Sequence, residues 1–255
     1  MTDATREEPA AALLELQLLT ERLRRDCPWD REQTAATIVP HTVEESYEVA
    51  DAALAGDDEK LLDELGDLLF QVYFLALLLE ERGAGDLAQV ARGVHEKLVR
   101  RHPHLFGDVV AKTADRVRSN WERIKREQEG REGIFHDVAE GLPGLLYAQK
   151  VQRRAKAVGF EYPDLAGALA DLKDELRELE EEPSGEELGD LLFAAVNVAR
   201  KLETDPELEL RRATQRFRRR VETAETLAGE AGENWSDLSL ERQDEWFDRA
   251  KEHVE

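Results

Sequence analysis

Along this chain apolar residues recur at helical spacing, and the alternating β-branched stretches that make strands are nearly missing. Leu13, Leu14, Leu16, Leu18, Leu19 and Leu23 form a broad stripe that predicts a helix over Ala10–Arg25, ended by Pro28. The same period predicts helices from Pro40 to Gly56, Glu59 to Gly83, Asp86 to Arg101 and Thr113 to Glu129. The stretch EGREGIFHDVAEGLPG (Glu129–Gly144) has four glycines, a proline and no sustained period, which marks a linker. Helical spacing then resumes over Leu145–Val158, Asp164–Glu182, Gly185–Leu202, Pro206–Leu227 and Leu238–Val254. The fold class expected is all-α, with five helices in a domain over 1–128, a linker over 129–144 and five more helices over 145–255.

The two halves share a device. ELGDLLF occurs at Glu64–Phe70 and again at Glu187–Phe193, each time after an acidic helix, EESYE (Glu44–Glu48) or DELRE (Asp174–Glu178). Trp121 and Trp246 each lie on the last charged helix of their half. Seven identical residues in matching context imply a tandem duplication.

Within each copy the acids fall in pairs three apart: Glu45 and Glu48, Glu64 and Asp67, Glu175 and Glu178, Glu187 and Asp190. That spacing puts both members of a pair on one helix face. A short turn joins the two helices of each half, so they are expected to form an antiparallel hairpin. Glu48 and Glu64 then lie roughly 12 and 9 Å from their turn, and Glu178 and Glu187 roughly 7 and 3 Å from theirs. Both sets match to within about one helical turn, so four carboxylates converge in each half. Such charges repel unless protons or a cation intervene, and an all-oxygen set suits Mg²⁺, with Mn²⁺ as a substitute. Gly66 and Gly189, inside these helices, each cost about 1 kcal/mol relative to alanine, which points to something approaching the backbone there. The plainer readings are a solvated acidic face, or capping boxes from Thr42 to Glu45 and from Ser184 to Glu187. Glu175 and Glu64, the counterparts of Glu45 and Glu187, sit well inside helices where no cap exists. The shared feature is therefore the carboxylate.

Charge narrows the partners. With 57 acidic residues against 35 basic, the net charge is −22, which repels a nucleic-acid polymer. The longest mostly apolar run, Leu68–Leu79, is too short to span a membrane, and the acidic N-terminus does not read as a signal peptide. A single cysteine, Cys27, excludes a disulfide scaffold and paired-cysteine zinc sites, so a cytoplasmic protein is expected. Positive charge concentrates at KLVRRHPH (Lys97–His104) and RRATQRFRRR (Arg211–Arg220). Lys97 with Arg101, and Arg216 with Arg220, each share a helix face and suit successive phosphates, the alternative being ion-paired surface. Trp121 with Lys125 offers a stacking plane and a cation to a nucleotide, and Trp246 is the equivalent in the second half, the alternative being a place in the core, where a lone tryptophan more often sits.

EESYE followed by ELGD (Glu44–Asp67) resembles the signature of the MazG family in the all-α NTP pyrophosphatase superfamily. CPWDREQT (Cys27–Thr34), EKLVRRHPH, WERIK (Trp121–Lys125) and AQKVQRRAKAVGF (Ala148–Phe160) extend the likeness over nearly the whole chain. The resemblance implies Mg²⁺-dependent cleavage of NTPs and dNTPs between the α and β phosphates, usually by a homodimer. It implies metal ligands at Glu45, Glu48, Glu64 and Asp67, and again at Glu175, Glu178, Glu187 and Asp190. The phosphate-holding cations map to Lys97 and Arg101, and to Arg216 and Arg220. Glu44, or one of the metal-holding acids, is expected to take the proton of the attacking water. The second motif opens with Asp174 in place of glutamate and has only eight residues between Glu178 and Glu187. Nucleotide sensing without turnover, in one or both halves, is the alternative. A ferritin-like di-iron site would need Glu-x-x-His where both copies have Glu-x-x-Asp.

Overall fold

Thr34 opens the helix that carries the first acidic pair. Its hydroxyl accepts from the Thr37 amide (3.3 Å) while the Thr37 hydroxyl accepts from the Thr34 amide (2.9 Å), a reciprocal cap that satisfies two orphan donors. The computed structural model describes residues 4–107, 133–136 and 138–254, with the isolated positions 113, 116, 117, 120 and 124. Among these are eleven α-helices, one 3₁₀ turn and no strand, so the protein is all-α. The chain divides into two compact units, Met1–Lys125 and Arg126–Glu255. Most of the helix expected over Thr113–Glu129, including Trp121 and Lys125, lies outside the described residues.

The first unit runs α1 (Ala4–Asp26), α2 (Pro28–Glu32), α3 (Ala35–Ala55), α4 (Asp58–Glu81), α5 (Leu87–Arg101) and α6 (Pro103–Phe106). Pro28 ends α1 as expected but also starts α2, because a missing N–H costs nothing at a first helical position. Pro40 does not start α3. The Thr34 cap begins the helix earlier, and Pro40 sits in its second turn, where the lost hydrogen bond is offset by the cap. Gly56, left-handed at φ 68°, closes α3, and the Asp57 carboxylate caps α4 by accepting from the Lys60 amide (3.0 Å). This tight turn makes α3 and α4 the hairpin of the unit, the most extensively packed helix pair in the chain. On α4, Glu64, Gln71, Phe74 and Leu78 lie on one buried stripe, and Phe74 and Leu78 join Ile38 in the core.

The second unit runs α7 (Gly144–Ala157), α8 (Leu165–Glu181), α9 (Gly185–Lys201), α10 (Pro206–Glu230), a 3₁₀ turn (Trp235–Asp237) and α11 (Leu240–Ala250). Here α8 and α9 form the hairpin. The Asp164 carboxylate caps α8, and the Ser184 hydroxyl caps α9 by accepting from the Glu187 amide (3.1 Å). On α10, Ala224 and Ala228 are fully buried and let α11 approach closely enough to seat Trp246 and Ala250.

A polar network fastens α9 to the segment before α8. Arg200 grips Glu161 through two hydrogen bonds (2.6 and 2.7 Å), Lys201 adds a third cationic contact (2.9 Å), and Asn197 accepts from Arg200 (2.6 Å). The Arg200 hydrogen bonds, ahead of the cost of burial and the Lys201 contact, hold the Glu161 carboxyl down at about 2. A depressed folded pKa contributes stability above the ordinary value of 4.5 that is lost as pH falls towards 2. We expect hydrogen-exchange protection of Gly185–Lys201 to fall by on the order of 3 kcal/mol over that window, and Glu161→Gln to flatten the fall. An equally steep loss in the variant would refute this role.

Candidate metal centre

The hairpin geometry gathers the acids. Carboxylate oxygens of Glu45, Glu48 and Glu64 lie within 4.8 Å of one another, two contributed by α3 and one by α4. In the second unit the same holds for Glu175 of α8 with Glu187 and Asp190 of α9. Glu64 is only 8% exposed because it shares the core stripe of α4.

The remaining acid of each expected quartet acts on the cluster through its charge. Burial first, then the charges of Asp67 and Glu48, a hydrogen bond with Glu48 and the charge of Glu64 push the Glu45 carboxyl up. Partial burial, then the charges of Glu178 and Asp190, do the same to Glu175 and to Glu187. All eight expected ligands thus sit in or beside two like-charged clusters. Lys60, four residues before Glu64, is the one described cation within 4 Å of a cluster oxygen, at 3.7 Å from Glu64 Oε1. Sequence reading passed over it, although its i,i+4 spacing was the signal.

Other expected site residues are placed differently. Glu44 is exposed, with its carboxylate 3.8 Å from His41 Nδ1 and outside the three-oxygen cluster. Its counterpart Asp174 pairs with Arg177 at 3.2 Å. Lys97 is exposed on α5, which packs on α4, and Arg101 ends that helix half-buried. Arg216 and Arg220 are half-buried on α10, and the Nε of Arg220 is enclosed without a hydrogen-bond partner. Trp246 is 5% exposed, donates to Glu233 (3.1 Å) and has Arg242 and Arg249 over its ring at 5.0 and 4.5 Å. That placement is a core anchor and does not suit the expected stacking plane, because the packing of Ala224 and Ala228 encloses the ring. The alternative reading of Glu45 as part of a cap from Thr42 does not hold: the Thr42 hydroxyl donates inside α3 to the Ile38 carbonyl (3.3 Å). A Cβ at Gly66 or Gly189 would meet no atom of another element within 4 Å among the described residues, so no packing among them explains either glycine.

The donor set fits a hard divalent cation. Each cluster offers several carboxylate oxygens at close range, and their mutual repulsion is relieved by positive charge. In the first unit the buried amide oxygen of Gln71, two turns beyond Glu64 on the same stripe, has no hydrogen-bond partner among the described residues.

Comparison with known proteins adds an independent line. The family described as MazG nucleotide pyrophosphohydrolase domain matches residues 33–106, which hold the whole first quartet with Lys97 and Arg101. The chain is 39% identical over 251 residues to the nucleoside triphosphate pyrophosphohydrolase of Escherichia coli strain K12, covering 92% of this chain and 95% of that one. It is 38% identical over 245 residues to the nucleoside triphosphate pyrophosphohydrolase/pyrophosphatase MazG of Thermotoga maritima, covering 93% and 94%. A nucleoside triphosphate pyrophosphohydrolase of Mycolicibacterium smegmatis is 29% identical over 258 residues, with coverage of 95% and 71%.

Neutralising one clustered acid should separate stability from binding. Glu45→Gln is expected to raise the Tm of the ligand-free chain by the equivalent of up to about 1 kcal/mol, the Coulomb scale of one close like-charge pair in water. The same variant should weaken Mn²⁺ binding roughly tenfold or more, read by titration. A lower Tm with unchanged Mn²⁺ affinity would contradict the electrostatic account.

Proposed function

This chain belongs to the MazG family of nucleoside triphosphate pyrophosphohydrolases, and from that membership we propose that its two carboxylate clusters are Mg²⁺-dependent active sites of one duplicated design. The reaction is hydrolysis of NTPs and dNTPs between the α and β phosphates, giving a monophosphate and pyrophosphate. The observation that carries the reading is the doubled cluster: three carboxylates within 4.8 Å, twice, with cluster members pushed above their ordinary pKa.

Glu45, Glu48, Glu64 and Asp67 would hold the ion in the first unit, and Glu175, Glu178, Glu187 and Asp190 in the second. A divalent cation bound there supplies Lewis-acid polarisation of phosphoryl oxygens and neutralises part of the triphosphate charge. The rest falls to the chain. Glu44 or one of the clustered acids accepts the proton of the attacking water. Lys97 and Arg101, and Arg216 and Arg220, offset charge on the β and γ phosphates and on the departing pyrophosphate. Trp121 and Lys125 remain proposed substrate contacts. We further propose a cytoplasmic homodimer without a nucleic-acid polymer as partner. No described helix is long and apolar enough to cross a membrane. Leu14 and Leu18, about half exposed and one turn apart on α1, supply apolar surface of the kind a helical dimer buries.

A second reading concerns the second unit alone. Its acidic motif begins with Asp174, its gap is shorter, and Glu178 is exposed where its counterpart Glu48 is half-buried, which favours nucleotide sensing with little turnover there.

The test is a product assay. Glu64→Gln combined with Glu187→Gln should reduce Mg²⁺-dependent pyrophosphate release roughly a hundredfold or more, with each single variant reporting the share of its own unit. Unchanged release in the double variant would refute the assignment. Gly66→Ala with Gly189→Ala should raise unfolding stability by about 0.5–1 kcal/mol per site while lowering kcat/KM. Full activity in that variant would show that nothing needs the bare backbone.

A further inference from the structure

Each unit sets an aromatic ring against the residue that lies one helical turn, about 5 Å, before its first clustered acid. In the first unit the residue is His41, four before Glu45 on α3, and the ring is Trp29, with centroids 6.2 Å apart and planes at 64°. In the second it is Asp171, four before Glu175 on α8, and the ring is Tyr162, whose hydroxyl donates to the Asp171 carboxylate at 2.8 Å. His41, Glu45 and Glu48, and likewise Asp171, Glu175 and Glu178, follow the i, i+4, i+7 course of one helix face. Ring and carboxylates are therefore successive stations along the same surface.

Both rings are open to solvent on braced backbones. Trp29 is 54% exposed and Tyr162 38%. The Trp29 carbonyl accepts from Gln33 Nε2 (2.9 Å), and Arg24 binds the carbonyls of Asp30 (2.6 Å) and Gln33 (3.0 Å). The Tyr162 carbonyl accepts from Lys201, itself held by Glu161. Gly167 leaves room for the tyrosine ring: a Cβ there would come within 3.3 Å of Cδ1. A single exposed aromatic is ordinary surface. The same placement in both units, reached from unrelated local sequences (CPWD, which continues into α2, and GFEY, which precedes the α8 cap), needs a common cause.

We propose that Trp29 and Tyr162 are the nucleobase platforms of the two sites, stacking the base while the triphosphate reaches the carboxylates one turn further along the helix. The assignment rests on the nucleoside triphosphate reading above. Every base presents a π face, so such platforms bind bases with little discrimination, and the larger indole gives the first unit the wider stacking surface.

The test titrates the intact chain, with Mg²⁺, against α,β-methylene-ATP, which lacks the cleavable oxygen, and against inorganic triphosphate, which lacks a base. Trp29→Ala with Tyr162→Ala should weaken the nucleotide analogue roughly tenfold and leave inorganic triphosphate within about twofold. Trp29→Phe with Tyr162→Phe should keep most of the affinity, because the rings remain while the indole N–H and phenol O–H are lost. Unchanged analogue affinity in the alanine pair, or equal loss for both ligands, overturns the platform. Pyrophosphate release from ATP by the unaltered chain is measured alongside. Turnover with unchanged analogue affinity sinks the platform alone, whereas a chain that neither binds the analogue nor releases pyrophosphate sinks the enzymatic reading as well.

Discussion

The chain holds like charges together where it has ample means to keep them apart or paired. Thirty-five lysines and arginines stand against 57 acids, and several acids elsewhere are each gripped by an arginine. Arg24 holds Glu81 through two bonds (2.7 and 2.8 Å), Arg200 does the same for Glu161, and Arg242 for Glu233. Those arginines pull their partners' carboxyls down, to about 2 for Glu161 and, with help from Trp246, for Glu233. Glu45, Glu175 and Glu187 go the other way. These acids thus fall into two electrostatic classes, one closed by arginine and one held among like charges. Only the second is poised to receive a cation.

What forces the second class together is the hairpin. Gly56 in a left-handed turn and the Asp57 cap set α3 against α4, and the buried stripe that carries Phe74 and Leu78 into the core carries Glu64 with it. Glu64 is therefore held in its cluster by the apolar packing of its own helix, and its repulsion with Glu45 and Glu48 is relieved by a proton or an ion.

This much was legible before any coordinates. Acidic pairs three apart, flanking a short turn and repeated in the second half, are a local pattern, and local patterns survive folding. The start of α3 was misread because Pro40 is a stronger signal in isolation than Thr34, whose cap depends on the Thr37 hydroxyl turning back. The core place of Trp246, the commoner one for a lone tryptophan, had no further mark in the sequence: its enclosure comes from Ala224 and Ala228 on another helix, and small residues leave no periodic sign of what they will bury. Trp29 stood in plain view within CPWD. Its relation to His41 depends on α2, a five-residue helix whose existence turns on Arg24 reaching the carbonyls of Asp30 and Gln33.

The two units keep the cluster while differing in what surrounds it. Ten residues after Glu64 stands Phe74, fully buried in an apolar core, whereas ten after Glu187 stands Asn197, bonded to Arg200 in a polar one. His41 is matched by Asp171, and the turn glycine Gly56 by Pro183 and Ser184. The acids nevertheless stay at the same spacing on the same hairpin in both units, which is what a shared demand for a cation would require. The first cluster, with Glu64 drawn into an apolar core, is the drier of the two and carries the sharper need for a counter-charge. The second, with Asp190 exposed and an added acid at Asp171, meets the same need by charge number.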